Sequence, residues 1–346
     1  MTKRLLKTGV ILSAFLLPSM AKAQADIHFS QFYETAILRN PAMVGVFESD
    51  YKAGVMYRNQ WSTITNPYQT AMLNVEGRFA VSHASSDFIS VGLLGYYDKA
   101  GSVDQKITGV YPVLNYNLCL NSDNATFLSA GFTGGYLQYS FDPSKATYNN
   151  QYQNGFDPNA SPGETLPNPR MTMWDLGAGL NFNTVGGEEK DITYMIGVAG
   201  YHLTQPPNSY YRAPNMNMAI RWNVNAGLSK QASDKVVYQF HLNAALQGKF
   251  REFIGGGLIG WNALIKGGNN TVFTIYAGAF YRYNDAIIPI FKLRYKDLSF
   301  GFSYDVNVST LKAASAMRGG YEITLVKTGF FPSNSAAAGK VMCPRF

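Results

Sequence analysis

The sequence is poor in charged residues and lacks long apolar runs. Asp, Glu, Lys and Arg account for 15% of its 346 residues, against roughly a quarter in ordinary globular domains. Beyond residue 23, no segment has the roughly eighteen consecutive apolar residues that a membrane-spanning helix needs. The first absence argues against an ordinary soluble enzyme, and the second argues against a helical membrane protein.

Cysteine, histidine and the common catalytic motifs are also scarce. The chain has two cysteines, Cys119 and Cys343, which are too few for a disulfide scaffold or a cysteine-based zinc site. Its four histidines form no HExxH pattern, and the sequence contains neither a G-x-S-x-G motif nor a Walker loop. We therefore predict that the protein is not an enzyme, and we assign it no catalytic residue, metal site or cofactor.

The first residues have the order of a secretory signal peptide. A basic start is followed by an apolar stretch from Gly9 to Leu17 and by the small-residue cleavage pattern Ala21-Lys22-Ala23. We expect residues 1–23 to be removed, so that the mature chain begins at Gln24. Four basic residues and no acid leave with this leader, which lowers the net charge from +7 to +3. Such a mild excess, without a basic block, does not indicate a nucleic-acid partner.

Aromatic residues and glycine are abundant, and apolar residues alternate with polar ones. The chain has 23 Tyr, 22 Phe and 33 Gly. In residues 298–309, Phe300 and Phe302 fall on one face of a strand, and Ser303 and Asp305 fall on the other, whereas a helix would scatter both sets. Alternating segments of ten to fifteen residues are too long for most soluble β-sandwiches. The pattern favours an outer-membrane β-barrel; a soluble sandwich or a lipocalin-like barrel is the alternative.

About fourteen such segments define the predicted domain organisation. We expect a periplasmic lead-in over 24–50, the barrel over 51–328 and a periplasmic tail over 329–346. An even strand number leaves both termini on one side of the membrane. The two longest connections, 142–171 and 204–214, fall together on the opposite side, which we predict to be the cell surface. The predicted strands are 51–61, 68–79, 88–98, 105–119, 126–141, 172–183, 190–203, 215–230, 235–249, 252–262, 271–284, 286–296, 298–309 and 318–328.

The predicted inward face of the barrel carries charged and amide side chains. By alternation these residues point into the lumen, where they would form either a structural network that fills it or a set of contacts for a bound partner. They are Arg58, Gln60, Glu76, Arg78, Arg221, Lys292, Arg294, Asp305 and Glu322.

The two cysteines suggest a tether. Cys119 ends the fourth predicted strand on the periplasmic side, and Cys343 lies in the tail on the same side. We hypothesise that they form a disulfide that holds the tail in the lower lumen, which the oxidising periplasm permits. The alternative is two free, buried thiols.

Several short motifs occur in order along the chain. They are His28-Phe29-Ser30-Gln31-Phe32-Tyr33, Asn40-Pro41-Ala42 with Gly45, Tyr57-Arg58-Asn59-Gln60-Trp61, Tyr304-Asp305-Val306-Asn307 with Ser309 and Leu311, Gly319-Gly320-Tyr321-Glu322, and Cys343-Pro344-Arg345-Phe346. This ordered set spans essentially the whole chain and resembles the PorP/SprF family of outer-membrane proteins of the type IX secretion system.

The resemblance implies a barrel in outer-membrane lipid that works with the type IX secretion machinery. Its partner would be a large adhesin-like secreted cargo, recognised through a type B C-terminal domain and exported or anchored at the cell surface, with a link to gliding motility in some bacteria. The surface loops offer five aromatic contact candidates: Tyr148, Tyr152, Phe156, Tyr210 and Tyr211. The alternative function is a passive or substrate-specific channel for small solutes.

Overall fold

The computed structural model describes residues 26–82, 85–152, 155–163, 168–211, 213–264, 271–310 and 312–331. The predicted signal peptide, Cys343 and most of the tail therefore lie outside the described residues. Within them, fourteen antiparallel strands form one closed barrel. The strands are β1 (Tyr51–Gln60), β2 (Tyr68–Ala80), β3 (Phe88–Ala100), β4 (Gln105–Asn121), β5 (Thr126–Ser140), β6 (Arg170–Gly186), β7 (Ile192–Tyr201), β8 (Arg221–Ser233), β9 (Val236–Gln247), β10 (Phe250–Leu264), β11 (Thr271–Arg282), β12 (Ala286–Tyr295), β13 (Leu298–Asn307) and β14 (Arg318–Gly329).

The sheet is a simple meander that closes on itself. Each strand pairs with the strands before and after it in the sequence. The last pairing joins β1 to β14, in a register that runs from Tyr51 opposite Gly329 to Gln60 opposite Gly320. Closure leaves no sheet edge unpaired, as a lipid environment requires. The predicted fourteen-strand antiparallel barrel is confirmed.

Side chains alternate between the two faces of the wall. In β2, Leu73 and Val75 are 52% and 45% exposed, whereas Asn74 and Glu76 are buried. The pleat of a strand sends successive side chains to opposite faces, so one apolar row faces outward and one polar row faces the lumen. This arrangement gives the barrel the apolar outer belt that contact with lipid requires.

The two ends of the barrel differ in their connections. At one end β1 begins and β14 ends, and the connections include the two-residue turns 234–235 and 296–297; we call this the short-turn end. The opposite end, the long-loop end, carries residues 141–169 between β5 and β6 and residues 202–220 between β7 and β8. That the long-loop end faces the cell surface remains a prediction.

The start of β8 differs from the predicted strand 215–230. The strand begins at Arg221, because the preceding residues fold back on their own loop: Asn217 pairs with Pro207. As a result Met218 is 5% exposed and lies inside the mouth of the barrel, while Met216 is 56% exposed. Alternation alone places the two methionines on one face, so the loop pairing overrides it.

Residues 26–50, which we call the internal segment, lie inside the barrel. The predicted periplasmic lead-in is instead a packed core, with a 3-10 turn at Phe32–Glu34, a helical turn at Ala36–Arg39 and a second 3-10 turn at Pro41–Met43. Among the described residues, no helix is long and apolar enough to span a bilayer. The segment occupies the lumen because its apolar side chains need burial and its backbone needs polar partners.

Apolar packing holds the internal segment from two sides. Phe29, Ile37 and Val44 belong to a cluster with residues of β1 to β6. On the other side, Phe32 and Tyr33 pack against residues of β9 to β12. The Tyr33 ring stacks against both His241 and Phe280, at centroid distances of 5.1 and 5.5 Å. The core of this protein therefore lies in the middle of the barrel.

Candidate functional site

The beginning of the internal segment is bound by carboxylates of the last two strands. Glu322 accepts the backbone N–H groups of Ser30 at 2.6 Å and Gln31 at 2.9 Å. The hydroxyl of Ser30 donates to Asp305 at 2.6 Å. Both carboxylates are inward residues of their strands, so alternation on β13 and β14 positions them against the segment.

Two buried arginines neutralise these carboxylates. Arg58 lies 3.0 Å from Asp305 and 2.9 Å from Glu322, and it also donates to the carbonyl of His28 at 2.8 Å. Arg282 lies 3.0 Å from Asp305. Arg58 and Glu322 are each 1% exposed. Charges so deeply buried are tolerated only when each has an opposite partner.

At the long-loop end, Asp26 is held by two cations. Its carboxylate lies 2.9 Å from His202 Nε2 and 3.2 Å from Arg221. Burial alone raises the pKa of Asp26, but the hydrogen bond and charge of His202 and the charge of Arg221 outweigh it and lower the pKa to about 2. Burial likewise opposes protonation of His202, yet Asp175, 2.9 Å from Nδ1, and Asp26 together raise its pKa to about 9.

Glu34 pairs with two lysines of the barrel wall. Lys292 contacts one carboxylate oxygen closely, and Lys52 lies 3.9 Å from the other. Burial raises the pKa of Glu34, but the charge of Lys292 and then that of Lys52 prevail and lower the pKa to about 2. The pairing therefore keeps Glu34 ionised inside the barrel.

Further along the internal segment, inward asparagines of the wall bind its backbone carbonyls. Asn115 on β4 donates to the carbonyls of Ala42 and Val44 at 3.0 and 2.8 Å. Asn223 on β8 donates to the carbonyls of Leu38 and Arg39 at 3.2 and 3.1 Å. These inward amides satisfy backbone carbonyls that have no strand partner.

Asn40 is an asparagine of the internal segment itself, and its side chain binds groups of the barrel wall. Its amide nitrogen donates to the carbonyl of Leu180 at 2.9 Å and to Asn225 Oδ1 at 3.2 Å, and its oxygen accepts from Ala42 N at 2.9 Å. The last contact caps the turn Pro41–Met43. The Asn-Pro pair of the sequence is thus both a turn and an anchor.

The wall approaches the internal segment closely at a glycine. A Cβ built on Gly131 of β5 would lie 2.3 Å from the carbonyl carbon of Pro41 and 2.4 Å from the nitrogen of Ala42. Both contacts are with backbone, which cannot swing aside. Glycine is therefore required at this position by space.

The other predicted lumen residues also meet the segment or the wall. Glu76 accepts from Gly45 N at 3.1 Å, and Arg78 donates to the carbonyl of Phe47 at 3.0 Å. Arg294 contacts Thr274 at 3.4 Å and does not reach the segment in any contact of the described residues. Cys119 is partly buried at the end of β4, and its proposed bond to Cys343 lies outside the described residues.

A polar cavity opens above the internal segment at the long-loop end. It measures about 470 Å³, and we call it the vestibule. Asp26, Ile27 and His28 form its floor, and amide, hydroxyl and tyrosine side chains line its wall. Asp98 faces it and accepts from Thr70 at 2.5 Å; no ion pair to Asp98 occurs among the described residues. A volume of this size suits a small ligand or a short stretch of polypeptide.

The long loops around the vestibule carry the five predicted contact residues. Tyr152, Phe156 and Tyr211 are 68%, 49% and 56% exposed, whereas Tyr148 and Tyr210 are half-buried. Tyr210 lines the vestibule and packs edge-on against Phe141. This ring contact connects the two long loops. Three of the five are therefore exposed on the long loops, and Tyr210 alone among the five lines the vestibule.

The charged groups of the lumen bind backbone and one another. Among the residues that the structure describes, no group of three His, Cys, Asp or Glu side chains is placed to hold a metal ion. Some of these charges hold backbone, as Glu322 does for Ser30 and Gln31, and others pair with one another, as Glu34 does with Lys292. The partners on the internal segment were not predictable from the strand pattern, although its ordered motif at residues 28–33 marked it as distinctive.

Three of the solved structures that this chain resembles are a channel, a transporter and a porin. The monoaromatic hydrocarbon channel CymD is 10% identical, with a TM-score of 0.49 over 89% of this chain and 95% of that one. The P. putida toluene transporter TodX is 11% identical, with a TM-score of 0.48 over 86% and 95% of the two chains. The KdgM porin, in complex with a disordered oligogalacturonate, is 9% identical, with a TM-score of 0.37 over 80% and 98%. None of these likenesses says what this chain binds.

Sequence comparison identifies the family. No curated protein matches the chain. The sequence profile described as "Type IX secretion system membrane protein PorP/SprF" matches residues 21–326, which is most of the chain. The match confirms the resemblance seen in the ordered motifs and, with the closed barrel, supports an outer-membrane location and an association with the type IX secretion machinery. The chain therefore belongs to the PorP/SprF family of type IX secretion system membrane proteins.

Proposed function

We propose that this barrel is an outer-membrane partner for a large, adhesin-like secreted cargo and holds the cargo's type B C-terminal domain at the cell surface during or after export. The main support for this proposal is that the internal segment fills the lumen of the barrel. The internal segment is hydrogen-bonded to Glu322 of β14 and, through Asn40, to β6, and it passes close to Gly131 of β5. A filled barrel suits a docking platform better than a conduit for solutes.

The long-loop end is the proposed docking surface. Its long loops carry the exposed aromatic residues Tyr152, Phe156 and Tyr211, and Tyr210 on the second of these loops lines the polar vestibule. Protein interfaces are enriched in aromatic side chains at the positions that contribute most to binding. In this proposal the loops contact the folded cargo domain, and the vestibule accepts a protruding polar segment of it.

Deletion of the gene tests the function directly. We expect one or more large secreted proteins with a type B C-terminal domain to disappear from the cell surface, measured by surface labelling and mass spectrometry. Retention of every such protein at its normal surface amount would overturn the proposal. Export and anchoring are separated by whether the missing cargo accumulates inside the cell or is released into the medium.

Loop variants test the docking surface. The double variant Tyr152→Ser and Tyr211→Ser is expected to lower co-purification with the cargo's C-terminal domain about tenfold, the effect of losing about 1.4 kcal/mol of binding free energy. The matched control is Tyr283→Ser, which removes a tyrosine that is 61% exposed at the same end but outside the two long loops. An equal loss of co-purification in the loop variant and in the Tyr283→Ser control would mean that the cargo does not bind specifically to the two long loops.

Conductance in planar bilayers tests the alternative. We expect the purified barrel to give no steady, solute-dependent current, because the internal segment fills its lumen. A stable current that a particular solute blocks would favour a channel over a docking partner.

A further inference from the structure

Arg39 is a buried guanidinium group without a carboxylate partner among the described residues. It lies in the internal segment and is 4% exposed. Its Nη2 donates to the carbonyl of Tyr33 at 3.3 Å, and its Cζ lies 5.5 Å from the centre of the Phe32 ring. Its Nε and Nη1 have no hydrogen-bond partner among the described residues. Two donors of a permanent cation are therefore unused in the protein interior.

The other buried arginines show how unusual this is. Arg58 contacts two carboxylates, and Arg282 contacts Asp305 and Asp285. The carboxylate of Glu34, the acid that acts most strongly on Arg39, is already shared between two lysines. Burial lowers the pKa of Arg39 to about 10. The negative charge of Glu34 acts in the opposite direction but offsets only part of this lowering. An unpaired buried charge of this kind is strongly destabilising.

A small cavity lies against Arg39. Its volume is about 50 Å³, which by the usual requirement of about 10–15 Å³ per water is room for roughly three to five water-sized groups. Three cationic and two anionic side chains line it, so its formal charge is +1 with histidine neutral. These are Arg39, Lys52 and Lys292, and Glu34 and Glu76. The cavity therefore has one positive charge to be balanced.

We propose that this cavity binds one small monovalent anion, of the size of a halide, formate or acetate, through the free donors of Arg39. The charge balance calls for a single negative charge, and the volume excludes larger anions. A free anion fits better than the carboxylate of a peptide, because the cavity has no room for a chain. Its binding would join the internal segment to the wall, since Lys52 and Lys292 belong to β1 and β12. This inference does not depend on the proposed docking function.

Bromide locates the site in the unaltered protein. Crystals of the purified barrel are soaked in sodium bromide, and anomalous scattering is measured at the bromine absorption edge. We expect a peak within hydrogen-bonding distance of the Arg39 guanidinium. A well-ordered site containing only water, with no anomalous peak, would overturn the proposal without reference to any variant.

Thermal unfolding tests whether the anion is bound in solution. At constant ionic strength, acetate or chloride is expected to raise the midpoint by about 2 °C relative to gluconate, which is too large for the cavity. The difference should vanish in Arg39→Met, which retains the side-chain bulk. The matched control Arg294→Met removes another lumen arginine that does not line the cavity, so the anion effect should persist. An effect that survives Arg39→Met, or that gluconate reproduces, would contradict a site at Arg39.

Discussion

The two halves of the internal segment are held by different chemistry. From Asp26 to Glu34 the barrel wall supplies charged groups, among them Glu322 for the backbone and Lys292 for a side chain. From Ala36 to Val46 it supplies mainly asparagine amides and a close glycine, together with one carboxylate, Glu76, that accepts from Gly45 N. The first half depends on a balance of charge, and the second depends mainly on shape and on neutral hydrogen bonds.

This difference determines how each half should fail. Removing one member of a buried ion network leaves an opposite charge without compensation, so a single change is costly. Removing a neutral amide leaves unsatisfied carbonyls but no charge, so it costs less. Charged contacts also respond to pH, whereas amide contacts do not.

The largest effect is expected from Arg58→Met. The change leaves Glu322 without its arginine and Asp305 with Arg282 alone. We expect a loss of about 3–5 kcal/mol in the free energy of unfolding, measured by urea unfolding of the barrel in lipid vesicles. Arg251→Met, on an exposed position of β10, is the matched control and should change it by less than about 0.5 kcal/mol.

A second substitution checks the mechanism. Adding Glu322→Gln to Arg58→Met removes the orphaned charge and should restore part of the lost stability. Additive losses in the double variant would mean that the two residues act independently, contrary to their 2.9 Å contact.

Gly131→Ala should have the next largest effect. The new methyl group would meet the backbone of Pro41 and Ala42 at 2.3 and 2.4 Å, so the internal segment or β5 must shift. Overpacking of this kind costs about 1–3 kcal/mol. The same change at Gly95 of β3, where a Cβ meets nothing within 4 Å, isolates the steric effect. Similar unfolding free energies for the two variants would show that Pro41 and Ala42 do not approach Gly131 this closely.

Asn115→Ala tests the amide half. It removes the donors to Ala42 and Val44 and leaves two buried carbonyls unsatisfied. We expect a loss of about 1–2 kcal/mol, with no change in how stability depends on pH. Loss of stability as large as that of Arg58→Met would contradict the contrast between the two halves. Limited proteolysis of the variant should show whether residues near Ala42 become accessible.

Much of the wall could be predicted from sequence, because a strand's alternation is local. The inward positions of Arg58, Asp305 and Glu322 follow from period-two patterning alone. Alternation does not reveal what an inward residue meets, and the internal segment has no period of its own. Ile288 and Ile290, which are inward but apolar, make sense only once Phe32 and Tyr33 are known to pack against them. The partner in the lumen is a long-range contact, and no local pattern encodes it.

The smallest effect is expected from pH, and it should be confined to the charged half. The pKa of His202 rises to about 9 in the folded barrel, above the ordinary value of about 6.5. Its stabilising contribution is therefore complete below pH 6.5 and declines as the pH rises through 9. Asp26 has the opposite sign: its pKa is lowered to about 2, so its contribution is present above its ordinary pKa and is lost as the pH falls toward 2.

Between pH 6.5 and 7.5 the change at His202 should cost about 1 kcal/mol, measured by unfolding at each pH. In His202→Gln this slope should disappear, because glutamine keeps hydrogen-bonding capacity without a proton to lose. Asn115→Ala should keep the slope of the unaltered protein, since Asn115 contacts the other half of the internal segment. If Asn115→Ala abolished the slope or His202→Gln retained it, the two halves would be one coupled unit rather than two regions with separate chemistry.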